Sequence, residues 1–346
     1  MRLPATLCAF LFFALPSAHA ADRYTARFDA DLDGVEVTAC FEGSPPQRLY
    51  RHSDSARFTS WIRSGGKPVN VRADNRSVKL PSLAPGSCLA WRVELRRAAQ
   101  RQDRRIGFSI AGDLVVETSL WFWKGNRDRD ILVNVELPDG VSISVPWPEA
   151  DTGRPGLSFR PDKTLSSWTS RTAIGRFQVR RIPVPGSTVR LAVVGRLDKA
   201  QDDRIRDWIE ESVRAVSRVY GRFPQAAPQV LVVPIGRRSE AVPWAHVIRG
   251  GGLAVELFID ETRPLEEFTS DWTAIHEFSH MLLPHVSSRD RWLSEGLASY
   301  YQNVLRARNG VLTGQQAWQK LHEGFRRGQR GTRGGTLADA TPVSYT

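Results

Sequence analysis

The chain is poor in sulfur and has no long apolar run outside its first twenty residues. Of its 346 residues only 3 are cysteine, and none lies in a C-x-x-C pair or near a histidine, so a cysteine-held metal is not expected. No stretch after residue 20 is apolar enough over a long enough span to cross a bilayer. Acidic residues are also in deficit: 37 Asp and Glu face 48 Lys and Arg, for a formal charge of +11. Such a balance invites a nucleic-acid reading. The arginines are scattered, however, and locally balanced by acids, so no nucleic-acid partner is expected. They cluster only in Arg326 to Gly335, which reads as a flexible, solvated loop. A basic surface favours acidic substrates or anionic envelope components.

Residues 1–20 read as a secretory signal. Arg2 is the basic start, Leu7 to Leu15 the apolar run, and Ala18-His19-Ala20 the small-x-small cleavage site. The run is too short to span a membrane, and Cys8 lacks the context of a lipidation box. The mature chain is therefore expected in the periplasm or outside the cell, without stable membrane insertion. Two cysteines follow, Cys40 and Cys88. An even pair in an exported chain points to one disulfide, the alternative being two buried thiols. Closing so long a loop contributes a few kcal/mol.

The densest chemistry lies between Trp272 and Tyr301. His276-Glu277-Phe278-Ser279-His280 is an H-E-x-x-H motif. Positions i and i+4 of a helix share a face, so two imidazoles at that spacing can grip one metal ion. Imidazole suits Zn²⁺, and catalytic zinc takes three protein ligands and a water. Glu277, beside the first histidine, is placed to act on that water as general base. Pro284 ends the first helix. A second helical pattern runs from about Asp290 to Arg308, with Trp292, Leu293, Leu297, Tyr300, Val304 and Leu305 apolar. A short turn would make the two helices antiparallel, and Glu295 on the second could complete a His-His-Glu site. The bland alternative is a chance motif whose histidines are structural.

H-E-F-S-H followed by W-L-S-E-G-L-A-S-Y-Y resembles the gluzincin zinc peptidases. Within them it is similar to the alanyl/leucyl-type aminopeptidases and to the bacterial glycyl aminopeptidases that often carry a PDZ domain. The resemblance implies one zinc ion on His276, His280 and Glu295, and Glu277 as base. It also implies a peptide or protein substrate and a thermolysin-like fold. The gap between His280 and Glu295 is shorter here than is usual in the alanyl type.

In those families the edge strand before the zinc helix carries G-A-M-E-N or G-G-L-E-H, its glycines admitting substrate and its Glu holding the free amine. Here the comparable run is Gly251-Gly252-Leu253-Ala254-Val255-Glu256. Ala254 stands where that Glu is expected. Glu256 shares its face one pleat on, so it is either a stand-in or an exposed strand carboxylate. The families also place a transition-state tyrosine on a later helix. Either the chain is incomplete, or Tyr345 lies near that position without being it; Tyr345 and His285 are the candidates to meet the oxyanion.

The remaining chain is expected to form two units. From Ala21 to residue 196, short alternating strands separated by turn signals such as Asp33-Gly34 and Asp139-Gly140 predict a β-sandwich-like domain. Trp121, Trp123, Trp147 and Trp168 are expected mainly in its core. Residues 197–346 predict an α+β catalytic domain. Its elements are an amphipathic helix over Asp198–Arg222, strands at Val230–Ile235 and Ala254–Ile259, the two motif helices, and a helix over Gln315–Phe325. The function so read is an exported zinc peptidase, with an aminopeptidase as the narrower form. Two alternatives are an inactive peptidase-fold binding protein and a zinc hydrolase of another bond. Sequence is silent on oligomeric state.

Overall fold

The computed structural model describes residues 21–331 except 126–128, 154 and 166. The signal segment lies outside the described residues. No helix among those described is long and apolar enough to cross a membrane.

Alternation builds the first sheet. Strand Asp22–Phe28 buries Asp22, Tyr24, Ala26 and Phe28 and turns Arg23 and Arg27 outward. It pairs with Ile131–Glu136 in parallel and with Val35–Cys40 in antiparallel within a 7-stranded sheet. A 4-stranded sheet, in the order Ser142–Ser144, Arg171–Gly175, Asp113–Glu117 and Gly107–Ile110, closes over it. Between them lies an aromatic core that includes Tyr24, Trp91, Trp121, Trp123 and Trp147. Trp91 and Trp123 stack at 4.7 Å, and the Trp91 and Trp121 indoles donate to the Trp121 carbonyl and the Thr172 hydroxyl. A polar partner for each indole lets these rings be buried without loss. Cys40 and Cys88 are register partners on adjacent strands and are joined by a disulfide.

The 4-stranded sheet has a second face, carrying Phe108, Val115 and Ala173. That face packs on a third sheet of 5 strands, ordered Val179–Val184, Ser187–Val193, Gln229–Pro234, Ala254–Ile259 and Trp244–Ile248. Its three middle strands are parallel and its outer strands antiparallel. Helices cover the other side, so the inner strands are buried on both faces and read as near-continuous apolar runs, VLVV and AVELFI. Within such a run Glu256 is an anomaly.

The hairpin Val179–Val193 precedes residue 196, the expected boundary, yet it packs with the elements that follow. Ile182, Val184, Val189 and Leu191 of the hairpin Val179–Val193 join the helical core with Ile205, Trp208 and Val213. Strand texture alone does not tell which sheet a hairpin will enter. The amphipathic helix is Lys199–Ser217, begun by an Asp198–Gln201 capping box. The arginine-rich stretch also departs from expectation. Its described part, up to Gly331, continues the helix Gly314–Gly331 with Arg326, Arg327 and Arg330 exposed on it.

Candidate metal centre and active site

The histidine helix spans Thr273–Ser279 and opens with Asp271 accepting from the Thr273 N–H at 2.6 Å. Ala274, Ile275 and Phe278 anchor it in the helical core. A single 3₁₀ turn, His280–Leu282, carries it on, and Leu283 is already extended before Pro284, as a residue preceding proline prefers. The glutamate helix is Arg291–Arg308.

Contacts between the helices fix both imidazoles. The Gln302 side-chain oxygen lies 2.7 Å from His276 Nδ1, and the Ser294 hydroxyl lies 2.9 Å from His280 Nδ1. The partner number falls as the histidine number rises, so the helices are antiparallel, as the spacing predicts. Holding both Nδ1 atoms leaves both Nε2 atoms free to point at a common place. They do: Glu295 Oε2 is 3.4 Å from His276 Nε2 and 3.6 Å from His280 Nε2. Arg291 Nε meets the other Glu295 oxygen at 3.1 Å. From the far side, Arg249 donates to the His280 carbonyl at 2.9 Å.

Two carboxylates compete as third ligand. Donor atoms of His276, Glu277 and His280 lie within 4.8 Å of one another. Glu295 presents one oxygen to both Nε2 atoms, and its charge is secured. Burial pushes its carboxyl up, but His276, His280 and Arg291 outweigh this and hold it at about 2. Glu277 differs. Withdrawal from water pushes it up to about 7, with Glu295 adding to the rise and His276 opposing it. The Val247 N–H of the edge strand lies beside this carboxylate. Burial and the neighbouring His276 pull His280 down to about 4. Burial also pulls on His276, but Glu295, Glu277 and Gln302 carry it above its ordinary value. The donor set of two tethered imidazoles and one ionised carboxylate fits zinc, which favours nitrogen and oxygen ligands in this ratio at catalytic sites.

Other predicted residues lie elsewhere. Glu256 fits neither reading made from sequence. It is fully buried, on the sheet face turned away from the histidine helix, against Arg171 and His246. Val255, Leu257 and Ile259 face the helices instead. The open edge near Glu277 is strand Trp244–Ile248, not the strand of Glu256. Gly251 and Gly252 are likewise corrected. A Cβ on Gly252 would sit 1.9 Å from the Pro146 carbonyl, and one on Gly251 2.7 Å from the Trp147 indole nitrogen. Gly251 also has φ +73° and donates to the Thr164 hydroxyl. These glycines seat the loop on the β-unit. His285 is exposed, its ring 4.8 Å from Trp168. Tyr345 lies outside the described residues.

Sequence reasoning missed Ser294, Gln302, Arg291, Arg249 and the edge strand. Two were within reach: Arg291 and Gln302 lie at i−4 and i+7 from Glu295, on its helix face.

Residues 282–343 match the family described as M61 glycyl aminopeptidase. No protein with a curated description matches the sequence. Among solved structures, an aminopeptidase N family protein from Idiomarina loihiensis is similar at TM-score 0.63 and 14% identity, over 84% of this chain and 55% of that one. An M1 zinc metallopeptidase from Deinococcus radiodurans is similar at TM-score 0.50 and 17% identity, over 93% of this chain and 76% of that one. The chain thus spans little more than half of the first and about three quarters of the second. At these identities the likeness is one of fold. The resemblance to gluzincin aminopeptidases is met again in the M61 match, which takes in W-L-S-E-G and begins just after H-E-F-S-H, and in the likeness of fold to these peptidases.

Proposed function

We propose that the chain is an exported, zinc-dependent metallopeptidase of aminopeptidase type. The observation that carries the reading is the convergence of both histidine Nε2 atoms, at 3.4 and 3.6 Å, on one oxygen of Glu295. His276, His280 and Glu295 would hold the metal. Bound there, zinc would polarise the scissile carbonyl and make a water acidic enough to lose its proton near neutral pH. Glu277 takes that proton onto its carboxylate and later delivers it to the leaving amine nitrogen. Burial raises the proton affinity of this carboxyl above that of an ordinary glutamate, which suits a group that takes up a proton and passes it on. Among the described residues the edge strand Trp244–Ile248 has one sheet neighbour, and it runs beside Glu277, so its open side offers main-chain groups to an extended peptide. Gln302 and Ser294 keep the imidazoles in register. The aminopeptidase form rests on the M61 and M1 likenesses, and export rests on residues 1–20.

The test is a digest of a peptide library in free and N-acetylated forms by the zinc-loaded full chain. Release of N-terminal residues from free peptides only is the expected result. Equal cleavage of both forms removes the aminopeptidase reading. A zinc-loaded chain that cleaves neither points to a binding protein on a peptidase fold.

A further inference from the structure

The edge strand Trp244–Ile248 is held on its two faces by different means. Ala245 and Val247 pack into the helical core beside Glu277. Trp244 and His246 face the β-unit. His246 Nε2 is 3.4 Å from Glu256 Oε2, and Arg171 Nε is 3.6 Å from the same oxygen. Arg171 comes from strand Arg171–Gly175 of the 4-stranded sheet and also donates to the Arg104 carbonyl. The Arg104 guanidinium lies 5.0 Å from the Trp244 ring and 4.7 Å from that of Phe258. Two arginines of the β-unit therefore reach the edge strand, one through Glu256 and one over Trp244.

Stability does not account for this arrangement. Both Glu256 oxygens, His246 Nδ1 and Arg171 Nη1 are buried without a hydrogen bond of good geometry. Taking charges out of water offsets most of what a buried pair gains, and apolar residues of similar size often serve as well. Five of the six residues in Ala254–Ile259 are apolar already. What a charged cluster adds is direction: its contacts hold at one register, whereas apolar contacts tolerate sliding.

We propose that Arg171, Glu256 and His246, with Arg104 over Trp244, are positioning residues that clamp the edge strand to the β-unit. Through that strand they set its open side relative to Glu277. The kinetic consequence rests on the peptidase reading; the structural consequence does not.

Losing Arg171 alone would strand a buried carboxylate and endanger folding, so the variant of choice is the double Arg171→Met/Glu256→Met in the zinc-loaded full chain. Should it fail to fold, Glu256→Gln keeps the shape and removes the charge. Hydrogen exchange is read strand by strand. Amides of 244–248 should exchange at least about tenfold faster than in the wild type, with helix Lys199–Ser217 and strand Gln229–Pro234 unchanged. KM for peptides should rise about tenfold while kcat stays within about threefold, and Arg171→Lys should recover part of both effects. A folded variant with unchanged exchange at 244–248 overturns the proposal. So does an equal loss of protection everywhere, which would make the cluster structural only. If the wild type cleaves no peptide, the peptidase reading fails and the exchange data still decide the clamp.

Discussion

Glu277 and Glu256 lie on opposite sides of one strand. The first meets the N–H of Val247, and the second meets the ring of the preceding residue, His246. Burial raises the proton affinity of both carboxyls. Their surroundings otherwise differ. Glu277 is half-buried beside two imidazoles that are each tethered through Nδ1. Glu256 is sealed off, opposed by Arg171 and Arg104, and its neighbour His246 is pulled down to about 4, first by burial and then by those two arginines. A perturbed carboxyl is therefore not in itself a mark of catalysis. What separates the two is access to a place where reacting atoms can sit.

The largest effect is expected at the histidines. His276→Ala or His280→Ala should abolish tight zinc binding, because two ligands rarely hold Zn²⁺ against a chelator. Metal analysis after dialysis checks this, and stoichiometric zinc in the double variant would sink the ligand assignment. A cut far from both carboxylates should leave their contrast intact. Replacing Cys40 and Cys88 by serine should cost about 2–4 kcal/mol of stability, read from the denaturant midpoint, with zinc affinity unaltered. Thiol labelling of the denatured, unreduced protein should find no free cysteine among these two. A smaller effect is expected one bond away from the metal. Gln302→Leu should weaken zinc about 10- to 100-fold in a competition titration, since an untethered imidazole must be ordered on binding. Unchanged affinity would remove Gln302 from the site. The mildest change is Glu256→Gln. It should alter KM a few-fold and leave the preference for free over N-acetylated peptides unchanged. A collapse of that preference would return Glu256 to the role of amine anchor.

How much of this was legible in the sequence depended on whether the signal was local. The i, i+4 histidines and Glu295 were readable because a helix fixes which side chains share a face. The same rule would have reached Gln302. Alternation correctly put Ala254 and Glu256 on one face, but it does not say which face meets the helices. That depends on the strand's neighbours. The edge strand itself was passed over because Pro243, His246 and Arg249 interrupt any apolar pattern around Trp244–Ile248. Its strand form comes from pairing with Ala254–Ile259. Neither does alternation say that Ser187–Val193 pairs with Val179–Val184 and Gln229–Pro234 in the 5-stranded sheet. The glycines at 250–252 announced a close approach, and the structure supplies the partner: Thr169, Trp147 and Pro146 of the β-unit rather than a substrate.

The most direct test of the central claim uses Glu277→Gln, which keeps shape and ligands while removing the base. Zinc content and peptide turnover are measured on the same preparations of variant and wild type. Turnover should fall by at least about a hundredfold, the usual contribution of a general base, with about one zinc per chain in both. Wild-type turnover in a variant with unchanged zinc would contradict the account.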